Sequence, residues 1–281
     1  MLLGGIVLLS VLFAALMGFG AQGLHWLWVV PVSFASAFLV LVALAFGFLW
    51  LMCQLVDQNK EQQHDSKFYR TMMKLYISAV KTAVRLRIHT TGLEKLPREG
   101  RFLLVCNHTS LADPVILLHS FADSQLAFIS KRENATMFLV GKAMHKIMCQ
   151  TINRENDREA LKTILKCIQL IKDDEVSIAV FPEGYIHKDK KLHRFRSGVF
   201  KIAQKTQVPI VVCTLKNSLQ VIPNIPKLKA TDVELHLLDV IWPEQYAGMT
   251  TVALGNRVYE MMAEDLGPDL VAREEENEND T

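Results

Sequence analysis

The sequence predicts an α/β domain, with a largely parallel sheet flanked by helices, preceded by an N-terminal hydrophobic helical membrane anchor. Short apolar runs alternate with helical patterns between residues 102 and 241, and such alternation is typical of parallel-sheet proteins. The first 56 residues contain no Asp, Glu, Lys or Arg, which indicates a segment that lies in lipid. These two observations together define the predicted fold class.

Two stretches of the anchor, Met1–Ala21 and Pro31–Val56, are long enough to cross roughly 30 Å of hydrocarbon. They indicate either a helical hairpin that enters and leaves through one face or a signal peptide followed by one span. A signal peptide usually begins with basic residues, and none occurs here before Lys60. The basic residues that follow the anchor place that flank in the cytoplasm. We therefore expect the globular part on the cytoplasmic face of the cell membrane.

The chain divides into four predicted parts: a two-segment anchor at 1–57, a basic amphipathic helix and linker at 58–92, a globular domain at 93–270 and an acidic disordered tail at 271–281. Within the second part, Ser66–Arg87 carries apolar residues at helical spacing, with Lys and Arg outside the apolar stripe. Such a helix lies either in the membrane interface or against the globular domain.

The globular part is predicted to contain at least five strands and four helices. Gly92–Gly100 is a turn-rich link, and Asn156-x-x-Glu159 is a capping box that begins a helix. The predicted strands are Phe102–Cys106, Leu126–Ser130, Ser177–Phe181, Ile210–Leu215 and Val233–Ile241. The predicted helices are Val115–Phe121, Thr136–Met148, the helix that follows Asn156, and Thr250–Leu266.

Composition narrows the classes of partner. The net charge of +2 includes an acidic end, because residues 271–281 contain five acids and one base. The rest of the chain is more basic, which suits an anionic lipid surface or a phosphorylated substrate. An ordinary solvated surface is the alternative explanation of this charge. The five cysteines include no Cys-x-x-Cys pair and are predicted to be buried, reduced thiols. We expect no metal site, no bound cofactor and no nucleic-acid partner.

Two short motifs carry the candidate chemistry. In Asn107–Asp113, a histidine and an aspartate with four residues between them follow an apolar run, so His108 is a candidate base and Asp113 its orienting partner. Pro114 favours the first helical position, which predicts Asp113 as the N-cap of a helix and His108 in the loop before it. In Phe181–Gly184, a Glu-Gly turn ends a second apolar run and precedes basic residues that suit an anionic substrate.

These two motifs resemble the first and third sequence blocks of the glycerolipid acyltransferases, the 1-acylglycerol-3-phosphate acyltransferase group. Thr151–Arg154 resembles the second, arginine-bearing block, and Val208–Val211 resembles the fourth. The resemblance extends over roughly residues 102–215. It implies transfer of an acyl group from a thioester, acyl-CoA or acyl-acyl carrier protein, to the sn-2 hydroxyl of lysophosphatidic acid. The implied partners are the phospholipid bilayer, lysophosphatidic acid and, for one of the two donors, acyl carrier protein.

The resemblance also assigns roles to individual residues. His108 is the implied general base and Asp113 orients it. Binding of the acceptor is implied for Glu183 and Gly184, and the nearby cations are further candidates for its phosphate. The candidate phosphate-binding cations are Arg154, Arg196 and Lys131, and the residues expected to support the two motifs are Asn107, Ser110, Phe181 and Pro182.

The third block departs from the family pattern. Family members commonly continue it with Thr-Arg-Ser, whereas this chain has Ile186 at the arginine position, so a different lysolipid acceptor stays open. A lipid hydrolase with Ser110 as nucleophile is a second alternative, although no Gly-x-Ser-x-Gly elbow surrounds that serine. A non-catalytic lipid-binding protein is a third, but binding alone does not require the His108–Asp113 pair.

Overall fold

The computed structural model describes residues 1–153 and 156–272. Its centre is a seven-stranded sheet with the order β1-β7-β6-β2-β5-β3-β4. All neighbouring strands are parallel except β6 and β7, which pair antiparallel. The strands are β1 Leu86–Thr91, β2 Leu103–Cys106, β3 Leu126–Lys131, β4 Gln150–Ile152, β5 Ser177–Val180, β6 Ile210–Lys216 and β7 Thr231–Ile241. The predicted α/β fold is therefore confirmed.

Helices cover both faces of the sheet, and each face has its own apolar core. One core joins the sheet to α7, α8 and α11, and the other joins it to α4 and α9. The helices are α1 Leu2–Phe19, α2 Trp26–Gln54, α3 Lys67–Ala83, α4 Asp113–Ser120, α5 Arg132–Thr136, α6 Phe138–Lys146, α7 Asp157–Lys172, α8 Lys201–Thr206, α9 Val221–Asn224, α10 Pro243–Tyr246 and α11 Thr251–Leu266.

Strands β2, β3, β5, β6 and β7 match the five predicted strands closely, whereas β1 and β4 were not predicted. The side chains of β1 are mostly exposed, so β1 has no continuous apolar run, and β4 is only three residues long. Because β1 pairs with β7, the predicted domain boundary at residue 92 is wrong and the sheet begins at Leu86.

Two helical predictions also need correction. The helix predicted over Ser66–Arg87 ends at Ala83, and Arg85 adopts a left-handed backbone with φ of 56° just before β1. The helix predicted over Thr136–Met148 is α6, which begins at Phe138 and ends at Lys146, and the extended backbone of Met137 separates it from α5. The predicted N-cap at Asn156 is confirmed, since its side chain accepts the Glu159 N–H.

The anchor folds as two antiparallel helices, α1 and α2. Both are long and apolar enough to cross a membrane. In the most apolar stretch of each helix, only 11% and 6% of the residues are buried in the protein. Helix α2 begins at Trp26, five residues before the predicted start, and includes Pro31. This pair of exposed apolar helices fits a membrane anchor.

Helix α3 joins the anchor to the globular domain. The hydroxyl of Tyr69 donates to the Met52 carbonyl at 2.9 Å, and the hydroxyl of Tyr76 donates to the Ala45 carbonyl at 2.6 Å, so both bonds reach α2. On its other side, the Arg70 guanidinium donates to main-chain carbonyls of Leu126 and Ile147. Helix α3 therefore packs against the globular domain, which is one of the two positions predicted for it.

The carboxyl ends of β2 and β5, which pair in parallel with each other, lie at one edge of the sheet. Asn107–Asp113 follows β2, and Phe181–Gly184 follows β5. Parallel pairing therefore brings the two motifs together although about seventy residues separate them. We call the edge at which the carboxyl ends of β2 and β5 lie the carboxyl edge of the sheet.

Candidate active site

The first motif is fixed to the sheet by Asn107. Its side-chain amide donates to the Leu215 carbonyl at 3.0 Å, and its side-chain oxygen accepts the Leu215 N–H at 2.7 Å. Asn107 is buried, so these two bonds satisfy polar groups that would otherwise be costly to desolvate. They hold the end of β2 against β6 and define where His108 begins its loop.

Asp113 is the centre of a small hydrogen-bond cluster. Its Oδ2 lies 2.9 Å from Nδ1 of His108 and also accepts the backbone N–H groups of Thr109 and Ser110, each at 2.8 Å. Asp113 is fully buried. The loop folds back on the aspartate as predicted, and Nδ1 of His108 is engaged by it.

Helix α4 begins one residue earlier than predicted. Ala112 is the N-cap, and Asp113 is the first helical residue, with Pro114 second. The predicted N-cap role of Asp113 is therefore wrong. Because its carboxylate caps the N–H groups of the preceding loop instead, it orders that loop and His108 together.

The His108 ring is held by an aromatic face as well as by Asp113. It stacks on Phe181 with 4.0 Å between ring centroids and 14° between planes. The side chain of His108 keeps 16% of its surface exposed. With Nδ1 engaged, Nε2 is the ring atom that can meet a substrate.

Glu183 is buried and joins the second motif to the first. Its Oε1 accepts the His108 N–H at 2.7 Å, and its Oε2 accepts the His193 N–H at 3.1 Å. Burial raises the pKa of Glu183 to about 8, and the two backbone donors oppose that rise. The carboxyl thus positions the main chain of His108, and direct contact between Glu183 and an acceptor stays a prediction.

The second motif, Phe181–Gly184, forms a tight turn. The Gly184 N–H donates to the Phe181 carbonyl at 3.0 Å, and Gly184 has φ of 92°, a conformation that disfavours any residue with a Cβ. The Pro182 carbonyl accepts the Arg196 N–H at 2.9 Å. The turn therefore places Arg196 next to Gly184.

A cavity of about 420 Å³ lies beside this turn. Its walls are mostly apolar, and Gly184 and Arg196 both line it. Arg196 is exposed and available to an anion, whereas Lys131 is exposed at the end of β3 and does not line this cavity. Among the apolar wall residues are Ile129, Ile152, Leu161, Ile164, Val180 and Val199.

Other predicted site residues have different surroundings. Ser110 is buried, and its hydroxyl accepts the Ala112 N–H at 3.2 Å. Among the described contacts of Ser110, none joins its hydroxyl to the His108 ring, so the pair does not have the geometry of a nucleophile and base. Arg154 lies outside the described residues.

The sequence did not reveal the role of His193. Its ring stacks on His187 with 3.6 Å between centroids, and its Nε2 lies 2.9 Å from Oδ2 of Asp189. Both histidines are buried. The spacing of Asp189 and His193 could have indicated this contact. Both residues lie within a run of basic residues, however, and such a run is typical of a solvated surface.

Residues 1–153 and 156–272 contain no cluster of His, Cys, Asp and Glu that could hold a metal ion. The thiols are not activated either. Burial raises the pKa of Cys149 to about 11 and that of Cys167 to about 12.

The acyltransferase family model matches residues 87–216, a range that includes both motifs. A probable 1-acyl-sn-glycerol-3-phosphate acyltransferase of Mycoplasma pneumoniae is 32% identical over 173 residues, which cover 60% of this chain and 62% of that protein. Residues 87–216 are therefore similar to the acyltransferase family.

Further relatives extend the comparison. The chloroplastic 1-acyl-sn-glycerol-3-phosphate acyltransferase BAT2 of Brassica napus is 31% identical over 68% of this chain and 53% of its own length. The enzyme of that name from Borreliella burgdorferi is 27% identical over 62% of this chain and 71% of its own length. The match covers less than two thirds of the Mycoplasma protein, of BAT2 and of the chloroplastic LPAT1 of Arabidopsis thaliana, at 62%, 53% and 43%.

A solved acyltransferase has the same fold. The crystal structure of PlsC, the 1-acyl-sn-glycerophosphate acyltransferase from Thermotoga maritima, aligns with a TM-score of 0.61 over 94% of this chain and 96% of that chain. The sequence identity is 21%, so this likeness concerns the fold alone. It extends beyond the residues that the family model matches.

Proposed function

We propose that this chain transfers a fatty acyl group from an acyl thioester to the sn-2 hydroxyl of lysophosphatidic acid, forming phosphatidic acid. The observation that carries the proposal is the 2.9 Å contact between Nδ1 of His108 and Oδ2 of Asp113 at the carboxyl edge. The relatives support the choice of acceptor, because their printed names specify 1-acyl-sn-glycerol-3-phosphate.

His108 acts as the general base. Oδ2 of Asp113 accepts N–H groups from Thr109 and Ser110, so Nδ1 of His108 carries the ring proton and Nε2 presents its lone pair. Nε2 takes the proton of the acceptor hydroxyl while the hydroxyl oxygen attacks the thioester carbonyl carbon. The C–S bond then breaks, and the imidazolium returns the proton to the departing thiolate. An ester and a thiol form without a covalent acyl-enzyme.

The acceptor is held by groups around the Phe181–Gly184 turn. Arg196 is exposed and lines the cavity beside Gly184, and a guanidinium can bind phosphate oxygens through two parallel N–H bonds. Arg154 and Lys131 are proposed as further cations for the same phosphate. Glu183 contributes by holding the backbone of His108, which sets the distance between base and acceptor.

Membrane attachment has a physical reason in this reaction. Acceptor and product both carry acyl chains that reside in lipid, so an enzyme held at the bilayer meets them at high local concentration. We place the domain on the cytoplasmic face of the cell membrane because basic residues follow α2. The donor is acyl-CoA or acyl-acyl carrier protein, and the mechanism requires no bound cofactor.

The direct test is acyl transfer by the purified, detergent-solubilised chain from both donors. Lysophosphatidic acid is offered beside glycerol 3-phosphate and neutral or zwitterionic lysolipids. Phosphatidic acid should form and should identify the donor. If another lysolipid is the preferred acceptor, the chemistry stands but the acceptor is wrong, and Ile186 becomes the candidate cause. If no combination of acyl donor and acceptor gives an acylated product, the proposed reaction is wrong.

Ser110→Ala should retain most of the transfer activity, within a few-fold of the unchanged protein. Ser110 holds its own loop through the Ala112 N–H and makes no described contact with the His108 ring, so its loss removes one hydrogen bond worth about 1 kcal/mol. Initial rates of ester formation and of ester hydrolysis by the same preparation check this. Loss of all turnover in Ser110→Ala would instead support a serine hydrolase.

A further inference from the structure

An exposed apolar surface lies beside the candidate active site and is not explained by the fold. The segment that connects β6 to β7 leaves Leu219, Ile222, Ile225 and Leu228 exposed by 36%, 48%, 39% and 76%. Leu111, in the first motif, is 75% exposed. A group of large apolar side chains in water is unusual for a surface without a partner. We call these five residues the edge patch.

The segment that carries most of the edge patch is held in place. Val221 is buried in the sheet core, and the Asn224 amide donates to the Thr231 hydroxyl at 2.9 Å. Leu228 has φ of 51°, a left-handed conformation that residues with a Cβ rarely adopt. Its carbonyl accepts a hydrogen bond from Arg85 at 3.1 Å. The exposed side chains are thus presented by an ordered segment.

The edge patch adjoins the catalytic loop. The hydroxyls of Thr109 and Ser218 lie 3.0 Å apart, and they join the loop that carries His108 to the residue before Leu219. Leu111 is two residues beyond Thr109. The apolar surface and the histidine are therefore parts of the same rim at the carboxyl edge.

The segment that carries most of the edge patch is basic, and Asp232 follows it directly. Residues 216–231 contain three lysines and no acid. Two of these lysines, Lys227 and Lys229, flank Leu228 and are exposed. Apolar side chains between lysines match an anionic lipid surface, which offers hydrocarbon and negative headgroups together.

The anchor extends past the same edge. Tyr69 contacts Met52 and Tyr76 contacts Ala45, so α2 runs antiparallel to α3. Helix α3 ends just before Leu86, the residue that pairs with Thr231 after the edge patch. At 1.5 Å per residue, the start of α2 lies roughly 20 Å beyond the end of α3, on the side of the edge patch. A bilayer that holds the hairpin would face this rim.

We propose that the edge patch, with Lys227 and Lys229, is a second membrane-contact surface that rests on the anionic leaflet in which the anchor sits. The inference concerns membrane contact alone and does not depend on which acceptor the enzyme uses.

The test measures the depth of Leu228 in the full-length protein reconstituted in vesicles with anionic lipid. A nitroxide is attached to Leu228→Cys and, as matched control, to Glu99→Cys, an exposed position in the link that enters β2 from the opposite edge. The unchanged protein, with its own five cysteines, gives the labelling background. The collision ratio of oxygen to a water-soluble nickel chelate should be several-fold higher at position 228 than at position 99.

Charge reversal tests the second half of the proposal. Lys227→Glu combined with Lys229→Glu should lower the collision ratio at position 228 towards that of the control, since two charges that an anionic leaflet attracts are replaced by two that it repels. Ile225→Cys repeats the measurement, in case the label at position 228 disturbs the left-handed backbone.

The outcomes separate this proposal from the proposed reaction. Water access at positions 225 and 228 equal to that at position 99 overturns the inference, because α1 and α2 still hold the protein in the vesicle. Shielding that requires an added acidic carrier protein also overturns it and assigns the edge patch to a protein partner. Neither result bears on acyl transfer, which is measured separately.

Discussion

His108→Ala should lower the rate of acyl transfer by about 10²- to 10⁴-fold, the usual contribution of a positioned general base. The variant loses Nε2, the ring atom left for the acceptor hydroxyl once Asp113 engages Nδ1. Initial rates from a labelled acyl thioester with lysophosphatidic acid measure the effect. Folding should be nearly unchanged, because the lost stacking on Phe181 is worth about 1 kcal/mol.

The protein contains a matched control for this substitution. His89 and Asp232 form another histidine–aspartate pair at 2.9 Å, but both side chains are more than half exposed and lie outside the site. His89→Ala should therefore keep the full rate of transfer. Substantial transfer by a well-folded His108→Ala protein would contradict the proposed mechanism.

Asp113→Asn is expected to have the next largest effect, a loss of about 100-fold or more in kcat with little change in KM for the acceptor. The amide oxygen can still accept the three N–H groups that now reach Oδ2, so the loop should keep its shape. What the variant loses is the buried negative charge that stabilises the imidazolium as it forms. Steady-state kinetics and the thermal unfolding midpoint together measure the two effects.

Two comparisons test this interpretation of Asp113. Asp232→Asn, in the exposed pair, should leave kcat unchanged. The double variant His108→Ala with Asp113→Asn should be no slower than His108→Ala alone, because the aspartate acts only through the histidine. Additive losses would show that Asp113 has a separate role, and an unchanged kcat in Asp113→Asn would rule out its orienting role.

Local sequence signals located most of the regular structure but not its edges. Five strands were found because their apolar runs are buried in the sheet. Strand β1 was missed because its outward residues are polar, and its pairing partner β7 lies about 145 residues away. Such an edge strand forms because of its pairing with a distant strand, and a short stretch of sequence gives no information about that pairing.

The sequence by itself determined the two apolar helices of the anchor, the alternation of strands and helices, and the histidine–aspartate pair of the candidate site. These are local properties, set by apolar runs, by Pro114 and by the spacing of His108 and Asp113. Only the tertiary structure decided that Glu183 supports the backbone of His108, that Phe181 stacks on its ring and that the edge patch lies beside it. Those contacts arise because parallel strands distant in the chain end at one edge of the sheet, and that proximity is a property of the pairing.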